Sequence, residues 1–207
     1  MAYPTVSVPY GFKPVNLLGG QVYAGAVRQY PIGASHATAI YYGDVVSMTA
    51  AGTVWNAANT DSAGTTLPII GIFQGCSYIN AQGQRIYSQY YPAAASAGAA
   101  DTPNQITAYV ADDPDLVMKA VVATNSTTVL QSTRGFIGSN AVWVATAGNA
   151  TTGNSYQSML TAAATTTTWP LKVIDVVPET AAASGSFVEY LVTWNAGVHM
   201  YRNTAGV

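Results

Sequence analysis

Phe187-Val188-Glu189-Tyr190-Leu191-Val192-Thr193-Trp194 alternates two sets of side chains along one extended segment. Val188, Tyr190, Val192 and Trp194 share one face; Phe187, Glu189, Leu191 and Thr193 share the other. A period of two with β-branched and aromatic residues is the signature of a strand. Leu171 to Val177 carries a second strand signal just upstream, and Ala181 to Gly185 is a turn-forming link that suits antiparallel pairing. Moving towards the N-terminus, the same texture recurs. Ile137 to Thr146 centres on Val142, Trp143 and Val144, Leu116 to Ala123 is apolar and β-branched, and Ile106 to Val110 alternates. Asn80-Ala81-Gln82-Gly83 separates Tyr78-Ile79 from Gln84 to Tyr90 and predicts a hairpin. Leu67 to Tyr78 predicts a strand in which Gly71 and Gly75 mark bulges or close backbone approaches. Ala39 to Met48, around the Gly43-Asp44 turn, and Thr53 to Trp55 complete the set. Seven to nine short strands with turns every 8 to 15 residues predict an all-β fold, an antiparallel sandwich or barrel-like domain. Ser155 to Ala164, with Met159, Leu160 and Ala163 at helical spacing, is the one short helix expected. Pro92 to Pro103 is rich in Ala and Gly and reads as a surface loop.

The first 25 residues differ in kind. Pro4, Pro9 and Pro14 exclude a helix interior or a central strand. Val6, Val8, Tyr10 and Phe12 fall on one side of an extended chain. The expectation is an N-terminal arm over residues 1–25, lying on its own domain or on a neighbour, followed by a single β-rich domain over residues 26–207.

The chain has 207 residues, of which 8% are charged, against the ~25% usual for soluble domains. Seven Lys and Arg against nine Asp and Glu leave a net charge of −2. Scattered basic residues cannot supply a nucleic-acid footprint or a polybasic membrane surface. No apolar run approaches the length of a spanning helix, and the start shows no signal peptide, so synthesis in a cytoplasm is expected. Fourteen Tyr, four Trp, four Phe and a mean hydropathy of +0.20 argue against disorder. So neutral a surface suits a component that works packed against others.

Groups for catalysis are few. The two histidines, His36 and His199, have no nucleophile motif beside them, and the Ser-hydrolase, dinucleotide, P-loop and zinc-protease patterns are absent. Cys76, the single cysteine, follows Gly75 in an apolar strand and reads as a buried hydrophobe. Asp112-Asp113-Pro114-Asp115 has carboxylates enough to contribute to a Ca²⁺ site, but without further ligands in sequence the turn reading is preferred. Glu179 and Glu189 are the one carboxylate pair considered for glycoside chemistry. Asn125-Ser126-Thr127 and Asn149-Ala150-Thr151 match the glycosylation sequon by chance. No enzymatic activity, cofactor or metal is expected.

Several stretches, in one order, resemble a known family. Tyr10-Gly11-Phe12-Lys13-Pro14-Val15, then Tyr23-Ala24-Gly25-Ala26 and Arg28, is similar to the opening of capsid decoration (cement) proteins of tailed bacteriophages. Tyr42-Gly43-Asp44-Val45-Val46, Gly71 to Tyr78, Tyr90-Tyr91-Pro92, Tyr109 to Asp115 and Pro170 to Ile174 continue the resemblance. Met118-Lys119 departs from it, standing where an acidic residue is expected. The resemblance implies a non-enzymatic structural protein of the virion. It would bind the major capsid protein and neighbouring copies of itself on the capsid exterior and stabilise the shell, with no nucleic acid and no membrane. On that reading Tyr10, Phe12 and Pro14 are the expected capsid contacts, and deleting residues 1 to 20 should leave a folded domain. The alternatives are a carbohydrate-binding β-module, with the tyrosines and tryptophans as a stacking face, and a head or tail fibre component. A major capsid protein is set aside because no stretch predicts the long spine helix of that fold.

Overall fold

The computed structural model describes residues 6, 8–33, 36–57, 69–93, 106–123, 129, 134–180 and 188–203, the side chains of 161–164 excepted. The described residues form an all-β structure: β1 (Lys13–Leu17), β2 (Arg28–Pro31), β3 (Val45–Met48), β4 (Val54–Asn56), β5 (Ile69–Ile79), β6 (Arg85–Ser88), β7 (Thr107–Ala111), β8 (Leu116–Ala123), β9 (Asn140–Val144), β10 (Ser158–Ala164), β11 (Leu171–Val176) and β12 (Glu189–Trp194). Three single-turn 3-10 segments complete it, and among the described residues no helix is long and apolar enough to cross a membrane.

Two sheets result. In the first, the order β2-β7-β5-β3-β4 is antiparallel throughout, with β6 on the far half of β5. The sheet curls until Ile32, just past β2, bridges Val54 of β4, making it barrel-like. In the second, β8-β10-β9-β11-β12 returns to β8 and closes a five-stranded barrel, in which β8 and β10 run parallel. Closure removes the edges within the five-stranded ring, leaving β1 as a marginal strand on β8.

Each ring has its own core. Alternate residues of β8 (Leu116, Met118, Ala120, Val122) meet Trp143, Met159, Leu171, Tyr190 and Val192 inside the second barrel. The same cluster takes in Phe12 and, from the first sheet, Val45, Ile69, Ile72 and Ala111, so it also joins the two rings. The first ring encloses Tyr30, Val46, Val54, Ile70, Phe73, Cys76 and Val110. Strand β5 serves both cores through a displaced alternation: Ile69 and Ile72 face one, Ile70 and Phe73 the other. Gly71 makes this displacement, with φ +154°, and a Cβ there would lie 2.1 Å from the carbonyl oxygen of Ala111. Both expected special glycines are present, since the ladder to β7 shifts register between Phe73 and Gly75.

The hairpin over β5 and β6 forms as the sequence predicts, with Asn80 Oδ1 accepting from the N–H groups of Gln82 and Gln84 across the turn. The antiparallel β11–β12 pair forms too. The linker 181–187 between them and nearly all of the Pro92 to Pro103 loop lie outside the described residues, as does the Asn125 sequon.

One expectation is corrected. The helix expected over Ser155 to Ala164 is strand β10. Met159 pairs with both Trp143 and Val122, so this segment supplies the strand that closes the barrel. Ladder bonds on both sides and burial of Met159 outweigh the helical preference that Gln157, Met159, Leu160 and the alanines give this stretch. In the N-terminal segment, the described residues 8–17 lie on the chain's own domain. Phe12 is fully buried, its N–H donates to Gly43 O at 2.9 Å, and Gly11 N–H donates to Gln157 O at 3.1 Å. Beyond it, β1 pairs with Leu116–Lys119 of β8, the part of that edge that β10 leaves unpaired.

Candidate interaction surface

The groups with catalytic potential are tied into the framework. His199 is buried; its Nε2–H donates to Ile70 O at 2.9 Å, and its Nδ1 accepts from Tyr201 N–H at 3.3 Å. Burial lowers its pKa, and both nitrogens are used by a neutral ring. His36, also lowered by burial, stacks on Tyr91. Burial pushes the Cys76 thiol up to about 12, and its Sγ lies 3.4 Å from Tyr90 O, the buried small hydrophobe that the sequence suggests.

The Asp112–Asp115 carboxylates diverge. Asp113 Oδ1 accepts from Asp115 N–H at 2.8 Å, which is the turn reading. Asp112 meets Arg28 at 3.2 Å and accepts from Tyr30 OH at 2.6 Å, while Asp115 pairs with Arg202 at 2.7 Å. Among the described residues no group of three His, Cys, Asp or Glu is placed to hold a metal ion. Glu179 stands on an exposed turn, and Glu189 is held by Lys119 at 3.1 Å and by Tyr10 OH.

The three expected contact residues have separate fates. Tyr10 is partly buried; its ring lies under the ammonium groups of Lys13 and Lys119, at 5.0 and 5.6 Å from the ring centroid. Burial, followed by the Glu189 carboxylate, raises its hydroxyl pKa. Pro14 is partly buried in β1 and pairs with Met118. Phe12 belongs to the core and presents no surface. The structure therefore places Phe12 as a packing residue and leaves Tyr10 and Pro14 as partly covered neighbours of it.

What the N-terminal segment exposes lies further on. Val15, Leu18, Val22 and Val27 are all exposed, Val22 at 81%, and Val8 sits nearby in sequence. Five of the nine exposed large hydrophobic residues described thus fall between positions 8 and 27. The segment is a tethered turn. Leu17 N–H donates to Gln21 O, Gly20 N–H to Leu17 O, and Asn16 bridges Val22. Gly19 and Gly20 take positive φ, which the tight reversal needs. Leu18 N–H is fastened to Asp115 O at 2.7 Å, and Tyr23 OH donates to Ala26 O. No residue from Pro14 to Val27 carries a charged side chain. An uncharged stretch with exposed apolar side chains, held on a barrel edge, has a composition nearer to an interface core than to an ordinary charged surface. The sequence held a signal for it in Leu17-Leu18-Gly19-Gly20-Gln21-Val22. The proline spacing points instead to the residues just before, of which Phe12 folds inward.

Compared with known proteins, the chain matches no protein-family model, no curated protein and no solved structure.

Proposed function

We propose that the protein is a non-enzymatic structural component of a tailed-bacteriophage virion that binds the outside of the icosahedral capsid and stabilises it. The observation that carries this reading is the uncharged turn from Val15 to Val27 with its exposed apolar side chains, anchored at its start on the closed barrel through β1 and at its end on the first ring through β2. Support comes also from the resemblance of the ordered sequence stretches to decoration proteins and from the sparse charge of the whole chain. Covering Val22, which is 81% exposed, contributes up to about 1.5–3 kcal/mol, and covering the half-exposed Val15 and Leu18 roughly half as much each. Because the turn is held by backbone hydrogen bonds before contact, less conformational entropy is lost on docking. The shell partner is the major capsid protein, with neighbouring copies of this chain as a second contact.

Two measurements test the proposal. Quantitative mass spectrometry of purified virions should give a copy number near that of the major capsid protein or a simple fraction of it. A dozen copies would move the chain to the tail or fibres, and absence from particles would remove the structural role. Co-sedimentation with undecorated shells should be lost in a Leu18→Ser, Val22→Ser variant whose melting temperature is unchanged, because both side chains are exposed in the free protein. Undiminished binding would show that another surface makes the contact.

A further inference from the structure

A second surface, distinct from the apolar turn, has the chemistry of a ligand site. Between β1, β5, β6 and β7 runs an open groove of about 620 Å³. Its walls carry three tyrosines, Tyr42, Tyr87 and Tyr109. Tyr87 is 72% exposed, the largest exposure of any aromatic side chain described. Between them stand the amides of Gln74, Gln89 and Asn154. Gln89 Nε2 donates to Asn154 Oδ1 at 2.9 Å, which fixes how these two amides face the groove. The floor is backbone: Gly75 takes φ +143°, and a Cβ there would come within 3.0 Å of Ser88 O.

The one charged residue of the lining is Lys13. Its ammonium lies 5.0 Å from the Tyr10 ring centroid and 5.8 Å from that of Tyr42. Among the described residues no carboxylate stands within ion-pair distance of it. A half-buried ammonium met only by aromatic faces retains donors for an anionic ligand. Aromatic faces suit the C–H face of a sugar ring, and amides suit its hydroxyls. The lone cation supplies charge-assisted donors for an acidic sugar's carboxylate.

We propose that this groove binds an acidic glycan, with sugar against Tyr87 and a carboxylate on Lys13. A virion protein so equipped would hold anionic surface polysaccharide as well as the shell.

The test uses the isolated full-length protein, so its result is independent of capsid binding. Amide chemical shifts are followed by NMR while an oligogalacturonate, a neutral oligosaccharide of the same length and sodium acetate are added separately at matched ionic strength. The acidic oligosaccharide should move the amides of Gln74, Gly75, Ser88 and Gln89. Its affinity should fall at least about tenfold in Lys13→Gln, the loss expected for one charge-assisted hydrogen bond, and also in Tyr87→Ala. Tyr87 is exposed, so its variant keeps the fold even should the Lys13 variant lose stability. The neutral oligosaccharide should bind more weakly and acetate not at all over the same range. No shift with any ligand, shifts confined to another surface, or equal affinity in wild type and Tyr87→Ala would overturn the site. Acetate or neutral sugar binding as well as the acidic one would overturn its assignment to acidic glycans.

Discussion

Asp44 is a carboxyl whose chemistry is set by its surroundings. It is 1% exposed, its Oδ2 accepts from Tyr41 N–H at 2.9 Å and from Asn56 Nδ2 at 3.1 Å, and it closes the turn leading into β3. Burial raises its pKa from 3.8 to about 7, against a smaller downward pull from the Ser155 hydroxyl and the Tyr41 N–H. A carboxyl whose pKa is raised by folding stabilises the fold most fully below its unfolded value. That contribution is lost as pH rises through the folded value. Between about pH 4 and pH 7, therefore, the wild type should lose stability relative to Asp44→Asn, which keeps the acceptor and cannot ionise. Urea midpoints of both proteins from pH 4 to 8 check this: the wild-type midpoint should fall relative to the variant's across that window, and parallel curves would refute it. The sequence showed Gly43-Asp44 as a turn. It did not show the burial, because that depends on Asn56 and Ser155, which arrive from distant parts of the chain. Phe12 has the same lesson. Its side of an extended segment was legible, but whether that side meets its own core or another molecule was not.

At the level of elements, β1 and β10 divide one edge of β8 between them. Local preference settles neither. Strand β8 is legible to the residue, since its run is apolar and rich in valine but for Lys119 and buried on both faces elsewhere. Its partners are not, since β10 has a composition that suits several conformations and β1 contains Pro14. That proline is tolerated because β1 lies at the margin of the sheet, where the missing N–H breaks no ladder. Deleting residues 1–17 should accordingly unsettle the fold rather than leave an intact domain. The deletion removes the Phe12 ring, whose loss alone costs about 3–5 kcal/mol, and uncovers the backbone of Leu116–Lys119. Against a net stability of about 5–15 kcal/mol for an ordinary domain, most of the margin goes. Thermal unfolding followed by circular dichroism should show a large drop in melting temperature or no cooperative transition. An unchanged melt would mean that β1 is an independent arm after all.

Across the whole molecule, the chain crosses between its two rings at both ends. The N-terminal strand β1 joins the second barrel, whereas the C-terminal turn over Met200–Arg202 returns to the first ring. There Ile69 bridges His199, and Tyr201 OH reaches Tyr30 OH at 2.5 Å and Asp112 at 3.3 Å. Each ring is thus fastened by a segment from the far end of the sequence, and four ion pairs described account for eight of the sixteen charged Lys, Arg, Asp and Glu side chains. Little charge is left to drive attachment to a shell. Binding to capsids should therefore persist in 1 M NaCl, where a Debye length of ~3 Å suppresses charge-driven contacts. Release of the protein by salt in a sedimentation assay would count against the apolar turn as the attachment surface.

The sequence by itself determined the all-β class, most strand positions, the β5–β6 hairpin, the special role of Gly71 and Gly75, and the scarcity of charge. These properties are local: period-two alternation, turn chemistry and composition act over a few residues and leave their mark there. Only the tertiary structure decided that two rings form, that Ser158–Ala164 is a barrel strand, that Phe12 turns inward, and that Leu18 and Val22 turn outward. Those outcomes depend on which distant backbone is left unpaired and which cavity is left unfilled. Such quantities exist only once the chain has closed on itself.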